Sequence, residues 1–428
     1  MIPVKGHVKN YHWGKVGDDN HIAKFLAVAQ SQTSISRNNS QDKQQKKGDE
    51  TAQQHLAELW FGSHPSGPSM VCVGNNLVGL DKFLAKEPEM IGVVDQYFKY
   101  NKQLPFLFKI LSIAQSLSLQ AHPDKELAKI LHKRDPQNYP DSNHKPELAI
   151  ALTDFHVLCD FRPHTEISRF IKDIEPLRQV IGSNASDNYV NLVENRIQDN
   201  TSLRRGLGDC FKSLMVQAKS VILRETKNLL TNHPKTIGQD VLKLIGELHS
   251  LYPGDPGVFA PFFLNYFKLS PGQAIYLKPN KLHAYLKGEC LECMACSDNV
   301  VRAGLTTKFR DTTTLLEMLD YEPVKSYLDL VITPTKKQSN GYAIDLFSPI
   351  DEFKVAKIVI SNKHEYLLPS VNSGSFVIVL NGKGSAQDFF DTKLRHKLSF
   401  GFAAYVPPKI SINITDIQES LVMYRAFC

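Results

Sequence analysis

Residues 116–122 read Ser116-Leu117-Ser118-Leu119-Gln120-Ala121-His122, a strict alternation of polar and apolar side chains. Successive side chains on a β-strand point to opposite faces, so a strand here places Gln120 and His122 on one face with the two serines. In an isolated strand such a polar face most often borders water. Here Pro123 and Asp124 follow at once, and Asp124 is placed to cap a helix that begins after it. The stretch therefore predicts a β fold in which a strand carries polar side chains to a site at its end.

The composition is that of a globular protein. The chain has 428 residues, 42% of them hydrophobic, which is enough for two or three packed units. The formal charge of +6 is small, and no run of Lys or Arg is dense enough to indicate nucleic acid or an anionic membrane as a partner. With no signal peptide, no stretch long enough to cross a bilayer and an odd seven cysteines, we expect a cytoplasmic protein without a disulfide framework.

Short apolar stretches with turn residues at their borders recur on both sides of the opening segment and predict further strands. They cover residues 69–73, 104–119, 148–158, 258–277 and 286–296. Between them, residues 164–250 change to a helical period, as in Ile167, Phe170, Ile171 and Ile174 at i, i+3, i+4 and i+7. The sequence therefore predicts a helical insert within a β domain.

Two more regions complete the organisation. Residues 30–51 are almost entirely polar, which predicts a disordered or surface insertion outside the core. After about residue 330 the β pattern returns, with Asn381 and Gly382 as an expected hairpin turn. The last hundred residues thus predict a second β-sandwich or barrel.

Two further segments offer metal ligands. Glu147 stands at the start of an apolar strand, where it is either a ligand or the last exposed residue before the strand enters the core. His283 follows a strand and a Pro turn in an order that loosely matches the second metal-binding motif of cupin β-barrels. Together with Gln120 and His122 they make a mixed oxygen and nitrogen set that suits zinc, although manganese, cobalt or ferrous iron also fit chemically.

The spacing of Cys290, Cys293 and Cys296 suggests a thiolate or iron–sulfur site at first sight. No fourth cysteine is near, and strand alternation points these thiols to both faces. We therefore expect buried small hydrophobic residues there.

Residues 289–305 and seven other blocks resemble the type I phosphomannose isomerase family. The blocks follow the family's order along nearly the whole chain, which makes the resemblance highly specific. The seven other blocks are residues 10–14, 57–65, 104–111, 118–125, 143–152, 252–255 and 282–286.

The resemblance implies a fold class that is mainly β with a helical insert, namely cupin-type jelly-roll or β-barrel domains plus an α-helical domain. Residues 1–160 and 256–330 then form the catalytic cupin-type domain, 161–255 the helical insert and 331–428 a C-terminal cupin-like domain. It also implies an enzyme with one Zn²⁺ per chain that interconverts mannose 6-phosphate and fructose 6-phosphate and feeds GDP-mannose synthesis. Its partner is a small sugar phosphate, and we expect a monomer.

Carried over position by position, the family's metal ligands fall on Gln120, His122, Glu147 and His283. Its active-site arginine falls on Arg302, a guanidinium that cannot act as a base but can grip phosphate or stabilise an enediolate. For the proton shuttle we favour Glu292, although it could equally be a buried carboxylate paired with a lysine. The other substrate-side positions, which include charge-assisted donors for a phosphate dianion, are Ser118, Lys109, Lys145, Asp298 and Lys308.

Two other functions remain open from the sequence. His122, Asp124 and a distant His283 match the H-x-D…H triad of ferrous 2-oxoglutarate-type cupin oxygenases. Against that reading, Asp124 follows proline and is expected to cap a helix. The second alternative is a non-catalytic cupin that binds a sugar phosphate.

Overall fold

The computed structural model describes residues 1–34, 54–73, 76–93, 103–195, 199–388 and 394–428. All 22 strands of these residues belong to two antiparallel sheets of eleven strands each, and a run of helices lies between two consecutive strands of one of the sheets. The predicted sheet-rich class with a helical insert is confirmed.

The first sheet carries the candidate site. Its hydrogen-bonded strands follow the order β14-β11-β8-β12-β6-β3-β2. The remaining strands, β7, β9, β10 and β13, pair with β12 or with one another. The thirteen-residue β12 is the central strand, since it pairs with β6, β7, β8 and β9. The strands are β2 (His7–Lys9), β3 (Glu58–Phe61), β6 (Phe106–Ile113), β7 (Leu119–Ala121), β8 (Glu147–Ala151), β9 (Phe155–Phe161), β10 (Leu264–Leu269), β11 (Ala274–Leu277), β12 (His283–Ala295), β13 (Val301–Gly304) and β14 (Val331–Ile332).

The second sheet joins both ends of the chain. Its first strand, β1, pairs with β4 on one side and with β21 on the other. The sheet therefore crosses the boundary predicted at residue 331, and the domain limits themselves stay a prediction. The strands are β1 (Ile2–Lys5), β4 (Met70–Val73), β5 (Asn76–Gly79), β15 (Thr335–Ser339), β16 (Tyr342–Phe347), β17 (Lys354–Ile360), β18 (Tyr366–Leu368), β19 (Ser375–Asp388), β20 (Arg395–Ser399), β21 (Ala403–Val406) and β22 (Ile412–Phe427).

Helices α4 to α9 form the insert, and no strand lies between them among the described residues. The apolar residues that the sequence placed on one helix face do form a buried face, since Ile167, Phe170 and Ile171 are all buried. The α-helices are α1 (His21–Ser34), α2 (Leu80–Lys86), α3 (Lys125–Arg134), α4 (His164–Asp173), α5 (Glu175–Ile181), α6 (Ser183–Glu194), α7 (Asn200–Met215), α8 (Lys219–Thr231), α9 (Gln239–Leu251) and α10 (Thr312–Met318), and 3₁₀ turns span Pro88–Met90, Pro256–Phe262 and Tyr327–Leu330.

The apolar core lies in layers. One cluster joins the insert to the first sheet through residues such as Leu119 and Phe161, and another fills the space between the two sheets. Cys290 and Cys293 lie in different clusters on opposite faces of β12, and Cys296 donates its thiol to the carbonyl of Leu104. All three thiols are free, and Cys290 and Cys293 are buried small groups as expected, whereas Cys296 is only partly buried.

Three local predictions are wrong. Residues 116–118 are not strand, because β7 begins only at Leu119. The start of the 258–277 stretch is a 3₁₀ turn, in which Pro256 and Pro261 remove the N–H groups that a strand would need. Asn381 and Gly382 lie inside β19, where Gly382 takes a φ of +82° at a β-bulge.

The expected polar insertion at residues 30–51 can be followed only at its start. Helix α1 continues through Ser34, so residues 30–34 are helical, while 35–51 lie outside the described residues. Within the described part of the chain, every helix is too short or too polar to cross a membrane.

Candidate metal centre and cavity

Two imidazoles and one carboxylate meet in the first sheet. The Nε2 atom of His122 lies 3.4 Å from Oε1 of Glu147, and the Nε2 atom of His283 lies 3.5 Å from its Oε2. One ligand atom from each residue falls within 4.8 Å of the others. His122 follows the end of β7, whereas Glu147 and His283 begin β8 and β12, so three neighbouring strands deliver the group.

The second ring nitrogen of each histidine fixes its orientation. Nδ1 of His122 lies 2.7 Å from the carbonyl of Asn299, and Nδ1 of His283 lies 3.0 Å from the carbonyl of Lys281. A carbonyl only accepts, so each Nδ1 carries the proton and each Nε2 presents a lone pair. Both Nε2 atoms are buried, and among the described residues neither has a hydrogen-bond partner. A divalent cation is the group that would satisfy both lone pairs and the carboxylate together.

Burial and nearby charges set the protonation states of His122 and Glu147. Burial lowers the pKa of His122 to about 4, so its imidazole is neutral near pH 7. Burial alone would raise the pKa of Glu147, but the positive charge of Lys145 opposes this, and the pKa lies well below its usual range. Lys145 Nζ is 3.4 Å from Glu147 Oε1. Neutral imidazoles and an ionised carboxylate are the forms that bind a metal.

Gln120 lies beside this group in the sheet. It is paired across the strands with His283 on β12 and with Arg302 on β13. Its Oε1 accepts a hydrogen bond of 2.7 Å from Ser118 Oγ, which orients the amide. Ser118 therefore orients Gln120, the fourth proposed ligand, and also lines the cavity beside it.

A cavity of about 380 Å³ opens over the centre. Gln120 and Glu147 line it, while His122 and His283 are buried and fall outside the lining. The structure brings every other residue selected from the sequence into the same lining, namely Ser118, Lys109, Lys145, Glu292, Asp298, Arg302 and Lys308.

Glu292 and Lys109 are opposite each other on β12 and β6 and form a buried ion pair of 2.8 Å. Burial raises the pKa of Glu292, although the charge of Lys109 opposes the shift. Burial alone would lower the pKa of Lys109, but Glu292 and Glu58 raise it, so this lysine stays charged. Glu292 is therefore a buried carboxylate paired with a lysine, as one of the two expectations for it stated. The pair also lines the cavity.

Two residues of β3 extend this pair and were not found from the sequence. Glu58 Oε2 lies 3.5 Å from Lys109 Nζ and accepts a hydrogen bond of 2.5 Å from Trp60 Nε1. In the sequence, Glu58 could have been noticed as a carboxylate in an otherwise apolar strand. All four residues of that strand are buried in the structure.

Arg302 and Lys308 are the cations of the cavity that have no carboxylate partner within the described part of the chain. Burial lowers the pKa of Arg302, and burial and Arg302 lower that of Lys308. Lys308 Nζ lies 5.4 Å from the ring centroid of Tyr11. Two cations without a counter-charge make this part of the lining suited to an anion.

Asp298 sits near the surface, where Ser66 Oγ donates to it at 3.2 Å and His64 Nε2 lies 3.6 Å away. The loop that carries it is held by Asp141, a residue that the sequence did not single out. Asp141 accepts from Ser297 Oγ, from the backbone N–H of Asp298 and from the amide of Asn299. Because the carbonyl of Asn299 orients His122, Asp141 supports the centre indirectly. Only a turn pattern marks Asp141 in the sequence.

Asp124 is the helix cap that the sequence predicted. Its Oδ1 accepts from the backbone N–H groups of Glu126 and Leu127 at 3.1 and 2.9 Å, and its Oδ2 accepts from Asn280 at 3.0 Å. Both oxygens are occupied, and the carboxylate that meets the two histidines is Glu147. The geometry therefore does not favour the oxygenase triad.

Two sequence models of known families match the chain. One, phosphomannose isomerase type I, catalytic domain, matches residues 1–164, and the other, phosphomannose isomerase type I, helical insertion domain, matches residues 180–264. Together they cover more than half of the chain.

Curated relatives are similar over their whole length. A mannose-6-phosphate isomerase from Mus musculus is 40% identical over 443 residues, which covers 100% of this chain and 98% of the relative. One from Schizosaccharomyces pombe is 38% identical over 439 residues and covers 100% of both.

Solved structures agree with these matches. A zinc-bound mannose 6-phosphate isomerase has a TM-score of 0.79 at 27% identity and covers 100% of this chain and 98% of that one. A variant of phosphomannose isomerase from Salmonella typhimurium has the same TM-score and identity and covers 100% and 99%. The similarity therefore includes both sheets and the insert.

Proposed function

Because this chain belongs to the type I phosphomannose isomerase family, we propose that it is a zinc-dependent isomerase that interconverts mannose 6-phosphate and fructose 6-phosphate. One observation carries the proposal: two buried, unpartnered imidazole nitrogens face one carboxylate beside a cavity with uncompensated cations. The proposed metal site would thus adjoin the same cavity as the cations that we propose for the substrate's phosphate.

The donor set fits the ion. His122, Glu147 and His283 would hold it, with Gln120 as the fourth ligand, and one anionic ligand would leave the ion with net positive charge. When bound, zinc would supply Lewis acidity toward the oxygens of the substrate. We propose one ion per chain.

The reaction moves a proton between C2 and C1 of the open-chain sugar through an enediol or enediolate, while a second proton passes between the two oxygens on these carbons. We assign the carbon proton to Glu292, which takes it from C2 of the aldose and returns it to C1. Burial, which raises the pKa of Glu292, makes this carboxylate a stronger base than an exposed one. Lys109 holds the carboxylate in place at 2.8 Å.

Substrate charge is divided between two cations. Arg302 is half-buried and pairs with Gln120 in the sheet, so we place it near the reacting carbons, where a guanidinium stabilises enediolate charge. Lys308 is exposed at the same cavity and suits the phosphate dianion. Ser118, Lys145 and Asp298 remain for the sugar hydroxyls.

The proposal is tested by following ¹³C-labelled mannose 6-phosphate by NMR with purified protein. We expect fructose 6-phosphate to form, the rate to vanish after treatment with a chelator, and zinc to restore it. Glucose 6-phosphate serves as the control and should turn over far more slowly. A folded, zinc-loaded protein that binds mannose 6-phosphate without converting it would refute the isomerase and favour a non-catalytic binding protein.

The wider setting is part of the same proposal. A link to GDP-mannose synthesis, a monomeric state and a cytoplasmic location stay predictions that rest on the sequence and its family resemblance.

A further inference from the structure

Glu352 lies in the turn between β16 and β17, on the sheet formed mainly by the C-terminal part of the chain, and is only 5% exposed. Its Oε1 accepts two hydrogen bonds from the other sheet's loops. Lys125 Nζ donates at 2.7 Å and His144 Nε2 donates at 3.0 Å. One carboxylate oxygen thus joins residues that are 227 and 208 positions away from it in the sequence.

Each donor stands three residues from a proposed metal ligand. Lys125 begins helix α3, three residues after His122, and His144 stands three residues before Glu147. A proline lies inside each of these short connections, at positions 123 and 146, and fixes one backbone dihedral there. A displacement of either donor would therefore be transmitted to the ligand and not absorbed by a flexible segment.

The loop after His122 is held from two sides. On one side, the backbone N–H of Asn280 donates to the carbonyl of His122 at 2.8 Å, and Asn280 also bonds Asp124. On the other side stands Glu352. Hydrogen bonds from His144 and Lys125 outweigh burial and lower the pKa of Glu352 to about 2, so the anchor is an ionised carboxylate near pH 7.

We propose that Glu352 is a positioning residue for the metal centre, which sets the spacing between His122 and Glu147 by tying their two loops to the C-terminal sheet. The inference rests on the proposed zinc site and extends it to a residue outside the cavity. It also gives the C-terminal sheet a role in the reaction beyond packing.

Partners that orient metal ligands typically change metal affinity by about 10–100-fold when they are removed. We therefore expect Glu352→Ala to weaken zinc binding by about 10–100-fold. Glu352→Gln keeps a neutral acceptor at the same place and should retain part of the affinity. Asp351→Ala is the matched control, because Asp351 is the exposed neighbour and should leave zinc affinity at the wild-type value.

The experiment measures zinc affinity of the metal-free full-length proteins by competition with a chromophoric chelator, and the unfolding temperature of the same samples. If Glu352 is a positioning residue, zinc affinity should be highest in the wild type and Asp351→Ala, lower in Glu352→Gln and lowest in Glu352→Ala. It also predicts a lower kcat in zinc-saturated Glu352→Ala. Equal zinc affinity in all four folded proteins would overturn the role, even if Glu352→Ala unfolded at a lower temperature.

Failure of the proposed function and failure of the positioning role give different results. Failure of the wild-type chain to bind zinc would refute the proposed function, whereas wild-type affinity in the Glu352 variants would refute only the positioning role. If Glu352→Ala does not fold, Glu352→Gln and His144→Ala provide the test, because Glu352→Gln weakens both hydrogen bonds and His144→Ala removes one of them. Wild-type zinc affinity in both would then overturn the proposal.

Discussion

The ring centroids of His122 and His283 lie 5.2 Å apart, and the Nε2 atom of each is buried with no hydrogen-bond partner in the described part of the chain. Leaving a buried polar atom unpaired costs about 1–3 kcal/mol. Two such atoms beside one carboxylate make the centre unfavourable without an ion. If this centre holds the proposed ion, metal binding and folding stability are coupled.

The first prediction follows from that coupling. Zinc at roughly 1,000 times its Kd should stabilise the folded protein by about 4 kcal/mol, which raises the unfolding temperature. Glu147→Gln keeps the size of the side chain but removes its charge, and should abolish most of this shift. Differential scanning calorimetry with and without zinc measures it. An equal zinc-induced shift in Glu147→Gln would show that the ion binds elsewhere.

The second prediction concerns the proton carrier. Glu292→Gln cannot accept the carbon proton, so kcat should fall by about 10²–10⁴-fold. Zinc affinity should stay within a few-fold of wild type, because Glu292 is not a ligand in this account. Steady-state kinetics and exchange of the substrate's C2 hydrogen with deuterated solvent measure the loss. A wild-type kcat, or undiminished exchange, would remove Glu292 from the mechanism.

The third prediction separates the two unpaired cations. Lys308→Ala should raise KM with a smaller change in kcat, since a phosphate contact is present before and during the reaction. Arg302→Ala should mainly lower kcat, by about 10²-fold or more, since enediolate charge develops only in the transition state. Kinetics of both variants decide this, and the reverse pattern would exchange the two roles.

The fourth prediction is a pH dependence at Glu352. Its pKa is lowered in the folded protein, from 4.5 to about 2, so its ionised form stabilises the fold. The stabilisation is complete above pH 4.5 and is lost as the pH falls toward 2. Glu352→Gln should thus be less stable than wild type by about 1.5–3 kcal/mol at pH 7, and the difference should shrink below pH 4.5. Urea unfolding at several pH values measures it, and a constant difference would contradict the assignment.

Local patterns were enough to predict several parts of the fold. The helical insert came from the period of Ile167, Phe170 and Ile171, which form its buried face. The cap came from Asp124, whose side chain does accept from the first turn of α3. The metal ligands needed more than strand phasing, which placed only Gln120 and His122 on one face. Glu147 and His283 were weak candidates from their own segments, and the family resemblance brought the four residues together as one ligand set. These features depend on neighbours within a few residues or on a whole-chain pattern.

Other features depend on contacts that spacing does not encode. Residues 116–118 alternate like a strand, yet the N–H of Leu117 bonds the carbonyl of Tyr285 and the carbonyl of Ser116 bonds the hydroxyl of Tyr252. Gly382 supplies a positive φ, but β19 uses it for a bulge and not for a turn. Glu352 reaches its partners across more than 200 residues, so no local pattern could identify it.

We propose that one zinc ion, held by His122, Glu147, His283 and Gln120, enables this chain to isomerise mannose 6-phosphate. The most direct test titrates zinc into metal-free protein and follows bound metal and the rate of fructose 6-phosphate formation in the same samples. We expect activity to rise in proportion to bound zinc and to stop rising at one ion per chain, and we expect neither change in His283→Ala. Full activity in the metal-free protein, or zinc binding at one ion per chain with no turnover, would contradict it.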